Sequence, residues 1–169
     1  GVDIVSGTTA NDTFNAGDVA GTAAFTVGDS VSGGAGTDTL NVITTAAFGG
    51  MPVGSSLSSI ENVNIITGGT VTIDTSGTDH AGVTTLTTEG VGAATVTAAA
   101  TTDVTVETAT HAAAAVAVNG GDDVTITTAG TTTGTVTVGA TTAASGDVSV
   151  TVASSAGNGV TNGAVAVTG

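Results

Sequence analysis

The chain of 169 residues has no lysine, arginine, cysteine, tryptophan or tyrosine, one proline and three phenylalanines. Each absence closes a route. Phosphate backbones are held by Lys and Arg, so nucleic acid is excluded as a partner. Anionic lipid surfaces are disfavoured for the same reason. Without cysteine there are no disulfides, which fits an exported bacterial protein cross-linked by metal. No stretch of 18 apolar residues exists, so direct membrane insertion as a helix is not expected. No basic segment leads into an apolar run, so no signal peptide is visible. GxSxG and HExxH are missing, and a P-loop lysine is ruled out by composition. We therefore expect no enzyme.

The aromatic shortage also limits the core. The apolar fraction of 40% is mostly Ala and Val, which cannot fill a broad globular interior at native density. They can fill a narrow one. The abundance of Val and Thr argues against disorder, since β-branched residues favour pleated strands. Fourteen Asp and Glu with no basic residue give a net charge of −14. Such a chain calls for solvent, wide spacing or bound cations, and hard carboxylate ligands select Ca²⁺.

What is present is alternation. Segments such as TVTID, ATVTA, DVTVE, DVTIT and DVSVTV repeat with period two, the pattern of half-buried strands. They also recur along the chain. Ile66, Leu86, Val106 and Ile126 are evenly spaced, as are Val96, Val116 and Val136, and Val118 with Val138. Val104 with Val124 and Ala109 with Ala129 keep the same interval. After an insertion near 140–145, Val124 maps to Val148, Ile126 to Val150, Ala129 to Ala153 and Val136 to Val160. Fixed-period self-similarity predicts an all-β fold, a parallel β-solenoid of about 20 residues per coil. An antiparallel sandwich of short hairpins is the competing arrangement.

Residues 1–62 depart from this period and hold Phe14, Phe25 and Phe48. We expect them to form an irregular N-terminal cap, continuous with a repetitive solenoid over 63–169. The segment GAVAVTG, residues 163–169, is strand-like, and we expect it to expose ladder edges that a neighbouring subunit could complete.

The stretch GGAGTDTLN, residues 33–41, fills every defined position of the pattern GGxGxDxUx, where U is a large apolar residue. Gly33, Gly34 and Gly36 let the backbone curl so that carbonyl oxygens converge. Asp38 adds a carboxylate, and Leu40 anchors the following strand. SGTTANDTFNA, residues 6–16, is a looser copy with Asp12. Two such turns facing each other would supply the oxygens that Ca²⁺ requires. Asp29 in GDS and Glu61 in IEN are further candidate ligands.

This pair of turns resembles the calcium-binding nonapeptide repeats of RTX (repeats-in-toxin) proteins. The longer run through IENVNI is similar to repeats of bacterial surface-layer and large type I-secreted proteins. The resemblance covers roughly residues 6–66 and departs from a true RTX block in having one full copy. It implies an extracellular or bacterial cell-surface location, calcium-dependent folding and assembly into a lattice or filament. One or two ions at the cap are expected, with Asp12 and Asp38 matching the motif's aspartates.

Further along, Asp103, Asp123 and Asp147 share one slot of successive coils. They face solvent or, with Asp122 beside Asp123, share a bridging cation. Outward Thr also aligns, Thr105 with Thr125 and Thr95-x-Thr97 with Thr135-x-Thr137. Such arrays carry ice or glycan binding in some solenoids, though Glu107 and Ala117 interrupt these. His80 and His111 have no Cys or second His nearby and are expected to be exposed. The leading reading is a secreted, calcium-stabilised β-solenoid that assembles with itself as a homopolymer. The second is a segment of a large adhesin, with cell-surface polysaccharide or ice as its partner.

Overall fold

The computed structural model describes residues 1–18, 23–108, 115–129, 134–152 and 163–169. It is an all-β parallel solenoid of about six turns, averaging ~23 residues per turn. The strands are β1 (Ile4–Ser6), β2 (Thr13–Gly17), β3 (Ser30–Ser32), β4 (Thr39–Thr44) and β5 (Ser56–Ser58). Then come β6 (Asn62–Thr67), β7 (Val71–Asp74), β8 (Thr85–Gly90), β9 (Ala94–Ala98) and β10 (Asp103–Thr108). The last are β11 (Val116–Gly120), β12 (Val124–Thr128), β13 (Val136–Val138), β14 (Val148–Val152) and β15 (Val165–Val167). One 3-10 turn, Thr78–His80, interrupts them.

Every pairing between named strands is parallel and joins one coil to the next. A seven-stranded sheet runs β14-β12-β10-β8-β6-β4-β2, and a five-stranded one runs β15-β13-β11-β9-β7. A third, of three strands, runs β1-β3-β5 and serves only the first coils. The alternation in the sequence explains the sandwiching. In β10 the side chains of Val104 and Val106 are 1% and 0% exposed, while Asp103 and Glu107 point to solvent. Small residues suffice because the two sheets face each other across a thin interior.

The inner column of the large sheet is Phe14, Leu40, Val63, Leu86, Val104, Val124 and Val148. A second inner column is Ala16, Val42, Ile65, Thr88, Val106, Ile126 and Val150. This corrects the ladder expected from Ile66, Leu86, Val106 and Ile126, of which only Val106 and Ile126 are in register. Leu86 lies between Val63 and Val104, and Ile66, 40% exposed, stands beside Glu89. The reason is unequal coils. Asn62 pairs with Thr85, a step of 23, and Thr85 with Asp103, a step of 18. Together they differ by one from two coils of twenty, and a one-residue slip moves a side chain to the other face.

A step of 20 holds only from β10 to β12 and from β11 to β13. Val96 therefore stacks on Val118, not Val116. Val136 pairs with Val165, not Val160, because the last coil is longer than the spacing implied. Ala109, His111, Ala153 and Val160 themselves lie outside the described residues.

The division expected at residue 62 falls inside a sheet. β4 pairs with β6 along its whole length, Thr39 with Asn62 through Thr44 with Thr67. Phe25 and Phe48 are each 7% exposed in the shared core, and Phe14 is half-buried at its end. Residues 1–62 thus build stacked coils, and what sets them apart is a third side and longer corners.

Candidate metal centre

The turn Ser6–Asp12 is stacked under the turn Ser32–Asp38, one coil of 26 residues away. The Ala35 amide donates to the Thr8 carbonyl at 3.0 Å, and the Thr37 amide to Asn11 Oδ1 at 3.0 Å. The glycines follow from this closeness. Gly34 has φ +100° and Gly36 φ +129°, conformations costly to any residue with a Cβ. A Cβ on Gly34 would also collide with the Thr8 carbonyl oxygen, and one on Gly36 would sit 2.8 Å from Ala10 backbone. Gly33 lies between Asp38 and the Ser59 carbonyl, with no room for a side chain.

Three of the expected ligands form one column. The Asp12 amide donates to Asp38 Oδ1 at 2.7 Å, and the Asp38 amide donates to Glu61 Oε2 at 2.8 Å. Asp12 Oδ2 accepts from the Thr8 amide at 2.6 Å and the Thr8 hydroxyl at 2.9 Å. Each carboxylate therefore fastens a turn to itself or to the coil beneath. Asp38 is the exception in one atom. Its side chain is 0% exposed, yet Oδ2 has no hydrogen-bond partner among the described residues. A buried, half-satisfied carboxylate is costly, and this chain has no Lys or Arg to offset it.

No protein-family model matches the chain, and the search of curated proteins returned no match.

Asp29 stands apart from that column, on the turn before β3. Oδ1 accepts from the Asp3 amide at 2.8 Å, and Oδ2 from the Thr26 amide at 2.6 Å and hydroxyl at 3.0 Å. The amides of Asp3 and Thr26 hold its carboxyl below the usual value of 3.8, although burial pushes the other way. Both oxygens are already claimed, so Asp29 acts as a staple between the first two coils.

Asp123 sits in a second column, one position further along the strand. The Asp123 amide donates to Asp103 Oδ1 at 3.3 Å, and the Asp147 amide to Asp123 Oδ1 at 2.8 Å. Asp103, Asp123 and Asp147 do stack, and their side chains are exposed. Asp122 Oδ1 accepts from the Ser145 hydroxyl at 2.9 Å. Among the described residues, no three Asp, Glu or His side chains converge at metal-ligand spacing.

The outward asparagines went unnoticed in the sequence. Asn41 Nδ2 donates to Asn15 Oδ1 at 2.8 Å, and Asn64 Nδ2 to Asn41 Oδ1 at 2.8 Å. The signal was the parallel wording DTFN, DTLN and ENVN, each with Asn in the same outward place. Likewise VGDS (27–30) and VGSS (53–56) announce the first long coils at a spacing of 26.

Proposed function

We propose that this chain is an extracellular structural solenoid, stabilised by Ca²⁺ in its first coils, that assembles with copies of itself in a bacterial surface layer or filament. The observation that carries the calcium part is Asp38 Oδ2, a buried carboxylate oxygen without a partner among the described residues, in a chain lacking Lys and Arg. Asp38 would hold the ion, with the tightly stacked turns of Gly33–Asp38 and Gly7–Asp12 supplying main-chain oxygens around it. The ion would neutralise the carboxylate and pin those coils together.

Support for assembly comes from the flanks of the stack. Among the described residues, β2 and β14 have a strand on one side only. Exposed apolar side chains lie on end strands of the other two sheets, Ile4 at 80% on β1 and Val167 at 52% on β15. Strand edges of this kind template further pairing, and head-to-tail contacts that do not close give filaments. The decisive experiment is chelation. Excess EGTA should lower the melting temperature and dissociate particles seen by light scattering. Unchanged melting and particle size would remove calcium from the account.

The second reading, a ligand-binding segment of an adhesin, is favoured by one feature. Asn15, Asn41, Asn64, Thr87, Thr105, Thr125 and Ser149 form an unbroken polar column on the outer face of the large sheet. Thermal hysteresis would support ice as its ligand, and retention on immobilised polysaccharide would support glycan.

A further inference from the structure

Where the three-stranded sheet stops, the chain makes a detour instead of another strand. Residues 77–82, with the 3-10 turn at their centre, pack over β5. Gly82 lies against Ser59, whose φ of +50° is the one left-handed non-glycine conformation among the described residues. Strain of this kind persists only while the surroundings enforce it.

Beneath the detour is a cavity of about 250 Å³ lined by Thr75, His80, Val83, Ala99 and Thr101 among others. Two buried polar atoms of this lining have no hydrogen-bond partner among the described residues: Thr75 Oγ1 and His80 Nε2. This corrects the expectation that His80 is simply exposed. Its ring edge is inside, and Thr75 is only 2% exposed. The segment's own turn hydrogen bonds are long, Ala81 to the Thr78 carbonyl at 3.3 Å and Val83 to the His80 carbonyl at 3.4 Å.

We propose that His80 is a pH-sensitive latch: as neutral imidazole it holds residues 77–82 closed over the edge of β5, and on protonation it lets that segment open. Protonating the ring places a cation at a buried edge whose Nε2 has no partner among the described residues, which an open segment in water avoids. Burial accordingly lowers the His80 pKa below 6.5, while Asp79 and Asp74 pull it back up. Asp74 is partly diverted, since Oδ1 accepts from the Ser76 hydroxyl at 2.6 Å. Neither β5 nor residues 99–102 carry a titratable side chain facing the ring. The sign is fixed by the lowered value. The open form binds the proton more tightly, so closure is favoured above the ordinary imidazole range and weakens as pH falls through 6.5. Opening bares the outer edge of β5, a template for pairing, so acid would govern where another strand can be added.

The test combines imidazole NMR titration with amide hydrogen exchange, expressed as protection factors to remove the intrinsic pH dependence. His80 should titrate below 6.5. Protection at Ala81 and Val83 should fall several-fold between about pH 7.5 and about pH 5, while β8 and β10 are unaffected. In His80→Phe, and equally in His80→Gln should the first fold poorly, that pH dependence should vanish. A His80 titrating at or above the ordinary value, or pH-dependent opening that survives both substitutions, would overturn the latch.

Discussion

Coils built from residues 1–83 and coils built from residues 84–152 share one seven-stranded sheet and, at the strand entry, carboxylates that accept amides from the neighbouring coil, but they differ in the sides they carry. The early coils step by 26 and 23 residues and carry a third side. Their corners are fastened by carboxylates that accept backbone amides across coils, and by the Asn15–Asn41–Asn64 ladder. The coils joining β8, β10 and β12 step by 18 and 20 residues, and the third sheet does not extend to them. There Gly120, the last residue of β11, and Gly121, both at positive φ, begin the short link to β12. Stability in this second region rests on Val and Ile packed between two sheets. The contrast teaches that a solenoid can keep one sheet continuous while its perimeter shrinks, provided each removed side is replaced by a tight turn.

Breaking that comparison begins with the stacked turns. Gly34→Val should be the most damaging single change, because it meets both a positive φ and the Thr8 carbonyl. A loss of roughly 3 kcal/mol or more is expected, read from urea unfolding. Leu86→Ala, in the narrow core where early and late coils meet, should cost about 2–5 kcal/mol and destabilise both regions together. If only one region loses amide protection, the core is not continuous.

Asp38→Asn sharpens the comparison. It should abolish the calcium-dependent rise in melting temperature, whereas Asp123→Asn should leave that rise intact, since Asp123 faces solvent. Equal calcium responses in the two variants would displace the site from Asp38.

Acid should act on the early coils through Asp29. Its lowered pKa means that its stabilising hydrogen bonds are fully present above the ordinary 3.8 and lost as pH falls through the lower folded value. Asp29→Asn should flatten the acid limb of the stability profile, and an unaltered limb would contradict this role. The smallest effect is expected from Glu107→Thr. Glu89 and Glu107 are paired neighbours on the outer face, so removing one charge should stabilise slightly, and less so in high salt.

Much of this was legible. Period-two alternation announced the strands, and self-similarity announced parallel stacking. The aspartate slot of Asp103, Asp123 and Asp147 was correctly aligned because β10, β12 and β14 begin alike. Register was misread between β6 and β10, where a step of 23 and then 18 imitates two steps of twenty almost perfectly. Apolar residues occur on both faces of β6, with Ile65 buried and Ile66 outward, so the slip left no hydropathic trace. In residues 1–62 the paired turns of DTFN and DTLN were legible, but not that they belong to full coils, because the unit is longer and its other markers, VGDS with VGSS, are polar. The burial of His80 had no local signal at all, since it depends on β5 lying one coil away.

Because the chain lacks cysteine, paired cysteines can measure stacking directly. Neighbouring parallel strands bring in-register Cα atoms within the range that a disulfide bridges. The Thr87→Cys/Thr105→Cys variant should cross-link rapidly on mild oxidation, because Thr87 and Thr105 are partners. The Thr85→Cys/Thr105→Cys variant, which an even twenty-residue coil would favour, should stay reduced. The opposite outcome would contradict the stacked register on which both columns, the calcium turn and the latch depend.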